Sequence, residues 1–301
     1  MSKSTKILIG AVVLLIAIYG IQRLTSSNST TLTINPFAKL DTAQVDKISI
    51  DFDKDISMKR ISGAWMITSP VDGPASPNQV SMFLARLASN PSAAVVADNL
   101  SDSSAYGLMS NAPRLDITTQ SGRQLAFRLG NITPDFNGCY MQMTGDNRVL
   151  ELSTNIRSLA GQSLTDWRDK VIFGIQVSDV AAADFSVGDT LYHFFHSDTL
   201  WKVNNVTVPT STAQEIIESL TGTRAVGFVD TSTHLSKRFL DYGITLKNKE
   251  HFAGTLFKTS DQVCLTNSAT DQTFVVSSML PQTLDQELRS LHRTYLTKLR
   301  S

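Results

Sequence analysis

A pair of histidines is the first candidate for chemistry. His193 and His196 are separated by two phenylalanines, and imidazole is a common ligand of zinc and other transition metals. The alternation of apolar and polar residues around them predicts a strand, in which side chains three positions apart point to opposite faces. No Cys or carboxylate stands at ligand spacing. We therefore expect packed or surface histidines and predict no metal site.

Three aspartates resemble the start of a calcium loop. Asp51, Asp53 and Asp55 give the pattern D-x-D-x-D. A calcium loop of the EF-hand type needs glycine at position six and glutamate at position twelve, where this sequence has Ile56 and Ser62. We interpret the aspartates as a charged turn between two strands.

Motifs for nucleophilic catalysis are absent from the sequence. The nearest approach to G-x-S-x-G is GQSLT at residues 161–165, which lacks the second glycine. No H-E-x-x-H, C-x-x-C or Walker A pattern occurs. We predict no catalytic residue, no cofactor and no enzymatic activity. An envelope hydrolase with dispersed active-site residues stays open as an alternative, because triads are assembled in space.

The two cysteines do not form a disulfide framework. Cys139 and Cys264 are the only cysteines in 301 residues, and small disulfide-stabilised domains carry many more. We expect half-buried strand residues, with a single disulfide as the alternative.

An apolar segment near the N-terminus indicates how the chain is placed relative to a membrane. Residues 7–21 carry no charge, and Lys3 and Lys6 precede them. Extended to about 20 residues, a helix here spans roughly 30 Å, the thickness of a bilayer core. A cleaved signal peptide is the alternative, but no small-x-small site follows. The sequence predicts a single-pass signal anchor at residues 1–24 in the inner membrane, with a cytoplasmic N-terminus and an extracytoplasmic, periplasmic body, followed by a flexible linker at 25–35.

An internal repeat organises the rest of the chain. Trp65 is followed after 41 residues by Tyr106-Gly107, and Trp201 is followed after 41 residues by Tyr242-Gly243. We interpret both tryptophans as core anchors and both Tyr-Gly pairs as turns. The second copy is about eleven residues shorter between its Tyr-Gly and its Cys, so we expect it to have lost or merged one strand.

Strand and helix periodicities complete the predicted architecture. Each copy has an alternating meander followed by a helix, and Ser76 with Pro77 and Gln79 marks the first helix start. The predicted fold class is α+β, with an N-terminal transmembrane helix followed by two tandem copies of an antiparallel sheet plus a helix. The predicted domains are a first repeat at 36–155, an inter-repeat linker at 156–178, a second repeat at 179–280 and a C-terminal amphipathic helix at 281–301.

An ordered set of weak motifs resembles a known family. The set comprises the N-terminal anchor, G-x-W-x-I…P at 63–70, P-A-S at 74–76, Y-G-L at 106–108, L-G-N…G-C-Y at 129–140 and W-R-D-K at 167–170. Together these motifs resemble the bacterial domain of unknown function 4340. The resemblance implies a membrane-anchored envelope protein encoded near ABC-type transporters of the gliding-motility kind. It implies no established activity and no catalytic residues.

These observations lead to one functional expectation and one alternative. We expect a non-catalytic, membrane-anchored extracytoplasmic scaffold or accessory subunit that acts with an ABC-type transporter or another cell-envelope complex. Its expected partners are the membrane and an integral-membrane or envelope protein. The alternative is an extracytoplasmic module that binds glycan or lipid in a groove between the two repeats. Lys plus Arg equals Asp plus Glu at 27 each, so nothing favours nucleic acid as a partner.

Overall fold

The computed structural model describes residues 32–89, 92–99, 101–197, 200–229, 235 and 237–297. The chain divides into two compact units, with the boundary between Leu164 and Thr165.

The first unit is built on a ten-stranded antiparallel sheet. Its strands are β1 (Thr33–Ile34), β2 (Val45–Asp51), β3 (Asp55–Ile61), β4 (Ala64–Ser69), β5 (Gly73–Pro74), β6 (Ala93–Ala97), β7 (Arg114–Thr119), β8 (Gln124–Ile132), β9 (Cys139–Met143) and β10 (Val149–Leu152). Two helices belong to it, α1 (Pro77–Ala88) and α2 (Ile156–Ala160). A short helix, α3 (Leu164–Trp167), lies at the unit boundary.

The second unit is built on a nine-stranded antiparallel sheet. Its strands are β11 (Val180–Val187), β12 (Thr190–Ser197), β13 (Leu200–Val203), β14 (Val206–Val208), β15 (Gly227–Val229), β16 (Arg238–Leu246), β17 (His251–Lys258), β18 (Val263–Asn267) and β19 (Thr270–Val276). Its helices are α4 (Thr210–Thr221) and α5 (Leu280–Leu291), and α5 continues into a π-helical turn at His292–Leu296.

The two sheets have the same strand order. The first sheet reads β5-β4-β3-β2-β7-β8-β9-β10-β6-β1, and the second reads β14-β13-β12-β11-β16-β17-β18-β19-β15. Every strand of the second sheet has a counterpart in the first, and among the described residues β1 of the first sheet is the additional strand. The expectation that the second repeat has lost or merged a strand is therefore wrong.

The α+β fold class is also wrong. The described chain is mostly β, consisting of two antiparallel sheets, and it is only 22% helical. Among the described residues no helix is both long enough and apolar enough to cross a membrane. The predicted spanning segment, residues 7–21, lies outside the described residues, so the transmembrane helix in the predicted fold class has no support here.

Alternation along the strands and a stripe along each helix place the core. In β2, Ile48 and Ile50 are buried while Ser49 is half-buried and Asp51 exposed. The helix α1 begins at Pro77, and Ser76 Oγ accepts a hydrogen bond from the Gln79 backbone N–H at 3.3 Å, as the capping pattern predicts. The buried apolar stripes are Val80, Phe83, Leu84 and Leu87 in α1 and Ala213, Ile216, Ile217 and Leu220 in α4.

A closing helix follows the last strand of each sheet. The helix α2 contacts α1, and α5 contacts α4. The stripe of α5 is buried in its own unit through Leu284 and Leu288. Residues 33–34, from the predicted linker, form β1. Residues 156–160 belong to the first unit, and residues 281–291 are part of the second unit. Ile172 and Phe173, from the predicted inter-repeat linker, also lie in the core of the second unit.

Candidate functional site

The two candidate histidines do not face each other. His193 lies on the exposed face of β12, where its Nδ1 is 2.5 Å from Asp184 Oδ1 and its ring stacks on Phe195. The His196 ring packs 4.1 Å from the ring of Trp201, and partial burial together with Lys247 lowers the pKa of this histidine. The strand prediction is confirmed. The described ranges contain no group of three side chains that could hold a metal ion.

The charged-turn interpretation of the aspartates is confirmed. Asp51 ends β2 and Asp55 begins β3, so that Asp53 lies in the turn between them. Asp53 also lines a cleft of about 230 Å³ together with Gly161, Gln162 and Ser163. The structure thus brings two separate sequence candidates, the D-x-D-x-D turn and the GQSLT segment, into one place.

Close packing around Phe52 builds this first-unit cleft. A Cβ added to Gly161 would lie 3.0 Å from the Phe52 ring, so only glycine lets the chain approach so closely. The guanidinium of Arg157 lies 5.1 Å from the centroid of the same ring. Beside Asp53 the lining has one amine, Lys54, and no histidine. The arrangement is a small polar cleft of mixed charge.

Both cysteines are free and buried. Cys139 lies in β9 and Cys264 in β18, and neither forms a disulfide. Burial raises the pKa of both thiols, which makes them poor nucleophiles. They are more deeply buried than the half-buried positions that the sequence suggests.

The two repeat tryptophans are core anchors, as predicted. Trp65 in β4 pairs with Arg60, whose guanidinium lies over the indole ring, and Trp201 in β13 pairs with His196. Their exposed fractions are 7% and 0%. The same position in the strand order therefore carries the same anchor in both units.

The two Tyr-Gly pairs have different roles. Tyr106 and Gly107 lie in a turn, where Gly107 has φ of +67°, as predicted. Tyr242 and Gly243 lie inside β16, so the turn prediction is wrong for the second copy. The Tyr242 hydroxyl donates to the Thr266 carbonyl at 2.6 Å, and the absence of a side chain on Gly254 provides the space. Burial raises the pKa of Tyr242 far above its usual value.

In the first unit, Tyr106 is part of an interlocked cluster. The Asn131 backbone N–H donates to the Tyr106 carbonyl at 2.7 Å. A Cβ on Gly130 would lie 2.1 Å from that carbonyl oxygen, and one on Gly107 would lie 2.2 Å from Asn131 Oδ1. The Tyr106 ring meets the Tyr140 ring edge to face at 5.0 Å. The Y-G-L and L-G-N…G-C-Y motifs of the family resemblance therefore build one structure.

The connection between β8 and β9 projects from this cluster and carries an exposed aromatic ring. We name residues Thr133 to Gly138 the Phe136 loop. Phe136 is 78% exposed and has φ of +62°, a conformation that costs about 1–2 kcal/mol for a residue with a Cβ. Asp135 stabilises the loop by accepting hydrogen bonds from the Thr133 hydroxyl at 2.6 Å and from the Asn137 backbone N–H at 3.2 Å.

The hydrogen bonds fix the loop at both ends. The Gly138 N–H donates to Thr133 Oγ1 at 2.9 Å, and the Phe136 N–H donates to the Thr133 carbonyl at 2.9 Å. Hydrogen bonds from Thr133 and Asn137 lower the pKa of Asp135, which keeps its carboxylate charged. The loop is thus a preorganised support for one exposed phenylalanine. Sequence reasoning missed it, although P-D-F-N-G at 134–138 places an aromatic residue among four strong turn formers.

Comparison with known proteins identifies a family but no function. The model of the family described as "Domain of unknown function (DUF4340)" matches residues 65–243, which is more than half of the 301-residue chain and includes both the interlocked cluster and the Phe136 loop. No curated protein and no solved structure matches the chain. The chain belongs to the DUF4340 family, as the motifs at 63–170 indicate.

Proposed function

We propose that this protein is a non-catalytic scaffold that binds a protein partner through the Phe136 loop. The observation that carries the proposal is an apolar ring, 78% exposed, on a loop fixed by its own hydrogen bonds. Aromatic side chains of this kind contribute a large share of the affinity in protein interfaces, because one ring removes much apolar surface from water.

Preorganisation strengthens the proposal. A flexible loop would lose conformational entropy on binding, at about 0.5–1.5 kcal/mol for each side chain immobilised. The Asp135 and Thr133 hydrogen bonds order the Phe136 loop before any partner arrives. Phe136 also has a positive φ, which is a strained conformation for a residue with a side chain, and such strain clusters at binding and active sites.

The proposed partner is a cell-envelope protein. The first candidate is an ABC-type transporter, which rests on the family resemblance alone. An apolar ring is complemented by an apolar pocket on the partner, so we expect binding that depends little on salt.

The test compares two exposed apolar residues of the first unit. Phe136→Ala removes the ring from the loop, and Ile61→Ala removes a side chain that is 49% exposed at the end of β3. The full-length chain and both variants are purified from the native cell under conditions that preserve complexes, and the accompanying proteins are quantified by mass spectrometry. We expect a specific envelope protein to be lost with Phe136→Ala and retained with Ile61→Ala. Recovery of the same proteins with all three chains would refute the proposal.

A further inference from the structure

A second cleft lies in the second unit, between the β11–β12 hairpin and the C-terminal end of α5. It encloses about 490 Å³. The hairpin contributes Val187, Thr190 and Tyr192 to its lining, and the helix contributes Leu288 and Arg289. The volume is in the range of small-molecule sites.

The wide turn at the end of α5 shapes this cleft. The helix is held by its buried leucines up to Leu291, and then the chain forms the π-helical turn His292–Leu296. A π-helical turn contains an additional residue and so changes the direction in which side chains project, and such turns are frequent at functional sites. Here the turn places His292 and Arg293 in the same cleft lining as Arg289.

The charge of the lining is positive. Arg289 Nε lies 2.8 Å from both oxygens of Asp285, which orients the guanidinium and leaves its terminal nitrogens for a further partner. The guanidinium of Arg293 forms no ion pair with any residue that the structure describes. The lining therefore contains two positive charges, from the arginines, and one negative charge, from Asp285, without counting His292.

Further polar groups line the cleft beside the arginines. The Tyr192 ring meets the His292 ring edge to face at 6.1 Å, and burial raises the pKa of Tyr192, so its hydroxyl stays protonated. Nδ1 of His292 is buried and has no hydrogen-bond partner within the described part of the chain. Thr190 supplies a second hydroxyl. A buried polar atom without a partner is unfavourable unless a ligand or water satisfies it.

We propose that this second-unit cleft binds a phosphate group carried on a larger molecule. Guanidinium groups match the oxygen geometry of phosphate, and the number of donors exceeds what a single carboxylate can accept. The cleft is also much larger than one phosphate, which leaves space for the group that carries it.

The cleft of the first unit supports this inference by contrast. The first hairpins of the two sheets correspond residue by residue. The cross-strand pair Phe185↔Tyr192 occupies the same place as Ile50↔Ile56. Tyr192 therefore corresponds to Ile56, and Val187 corresponds to Phe52. Both units thus have a cleft between the first hairpin and the closing helix.

The arginine content distinguishes the two clefts. In the first unit, Arg157 does not line the cleft, and it donates to the carbonyls of Leu129 and Gly130. Asp53 and Lys54 leave no net charge in that lining. Phosphate binding is therefore expected in the second unit alone.

Calorimetric titration of the full-length chain with inorganic phosphate and with glycerol 3-phosphate tests the inference, with chloride replacing phosphate at equal ionic strength as the blank. We expect saturable binding of phosphate, and about tenfold weaker binding after Arg293→Gln or Arg289→Gln. Tyr192→Phe removes one donor and is expected to weaken binding by a smaller factor without a change in the packed ring.

Arg238→Gln is the matched control, because Arg238 is an exposed arginine of the same unit that pairs with Asp241 outside the cleft. It is expected to bind phosphate like the parent chain. The inference is overturned if Arg238→Gln weakens binding as much as Arg293→Gln, or if the parent chain binds neither a soluble phosphate in this titration nor a lipid phosphate in the vesicle experiment that follows.

A second arm separates a lipid headgroup from a soluble ligand. Phosphatidylcholine vesicles with and without phosphatidic acid are mixed with the chain and recovered by flotation. Arginine-dependent recovery on phosphatidic acid supports a lipid phosphate, and calorimetric binding of glycerol 3-phosphate without vesicle recovery supports a soluble phosphate ester. Failure of both arms contradicts the inference and leaves the Phe136 proposal untouched, since that loop lies in the other unit.

Discussion

The strands β8 and β9 of the first unit are joined by the six-residue Phe136 loop, whereas their counterparts β17 and β18 in the second unit are joined by residues 259–262. In the shorter connection, the Thr259 hydroxyl donates to the Gln262 carbonyl and accepts from the Gln262 backbone N–H. This connection has no aromatic residue. The closing helices differ in the opposite sense, since α2 has five residues and α5 has twelve followed by the π-helical turn.

This difference teaches that the common strand order and the surface features have separate roles. Positions that match between the units, such as Trp65 and Trp201, are buried and hold the sheets together. The features that differ are the Phe136 loop and the arginine cleft of the second unit. Both lie on the surface, where the loop exposes an apolar ring and the cleft exposes charged side chains. We therefore expect substitutions at matched positions to change stability, and substitutions at the differing positions to change binding.

The largest expected effect is at the matched tryptophans. Trp201→Ala should lower the free energy of unfolding of the second unit by about 4 kcal/mol, and Trp65→Ala should lower that of the first by slightly less because its ring is partly exposed. Denaturant unfolding with hydrogen exchange of peptides from each unit measures both. Trp201→Phe is the control and should be milder, since Trp201 Nε1 has no hydrogen-bond partner among the described residues. Similar losses for Phe and Ala would contradict the packing explanation.

The glycines that allow close approach come next. A Cβ on Gly254 would lie 2.0 Å from the Thr266 carbonyl oxygen, and one on Gly130 would lie 2.1 Å from that of Tyr106. Replacing either glycine by alanine should destabilise its own unit by about 2–3 kcal/mol. Gly227→Ala is the matched control in a strand, because its Cβ would make an ordinary 3.5 Å contact with Val275. If Gly227→Ala lost as much stability as the other two variants, close approach to a carbonyl oxygen would not explain the effect.

Strand and helix positions were predictable from the sequence because their signals are local. The alternation around Ile48 and Ile50, the stripe of α1 and the Ser76 cap depend on residues a few positions apart, and the structure confirms them. Pairing between distant strands has no such local signal. Tyr242 repeats the spacing of Tyr106 after a tryptophan, yet it lies within β16, because register is set by neighbouring strands and not by distance along the chain.

The candidate surfaces were hardest to predict, because they depend on features that only tertiary structure creates. The segment around Phe136 indicates a turn, but the sequence gives no sign that Asp135 and Thr133 fix the ring in an exposed position. Asp53 and Ser163 belong to motifs more than a hundred residues apart and meet in one cleft only after folding. The predicted fold class was wrong for a related reason, since short strands at the edges of the sheets, such as β5 and β14, give little periodicity in the sequence.

A smaller effect is expected at two buried tyrosines that differ in one hydrogen bond. Tyr242→Phe loses the bond to the Thr266 carbonyl and should cost the second unit about 1 kcal/mol. Tyr192→Phe should leave stability nearly unchanged, because no hydrogen bond from its hydroxyl to another described residue is present. Thermal unfolding of the two variants measures the difference. A larger loss for Tyr192→Phe would show that its hydroxyl has a structural role and would weaken the case for a ligand donor.

The smallest effect concerns Glu287 on the closing helix α5. Burial raises the pKa of this carboxyl, although Ser219 Oγ donates to its Oε1 at 2.9 Å. Because the folded state holds the proton more tightly than the unfolded state, the group reduces stability as the pH rises above its unfolded pKa. Glu287→Gln should therefore raise the free energy of unfolding at pH 7 by less than about 1 kcal/mol. This gain in stability should disappear when the pH falls below the unfolded pKa of Glu287. Thermal scans at several pH values measure it, and a gain that persists at low pH would contradict the explanation.

The most direct measurement of the central claim is site-specific photo-crosslinking in living cells of the source organism. A photoreactive phenylalanine analogue replaces Phe136 in one chain and Ile61 in another, both exposed positions of the first unit. The account predicts one discrete crosslinked protein from position 136, which disappears from the chain labelled at position 61 and is outcompeted by an excess of the unlabelled parent chain. The assignment of the Phe136 loop as a protein-binding surface would be contradicted if position 136 gave no crosslinked protein, or if positions 136 and 61 gave the same crosslinked proteins.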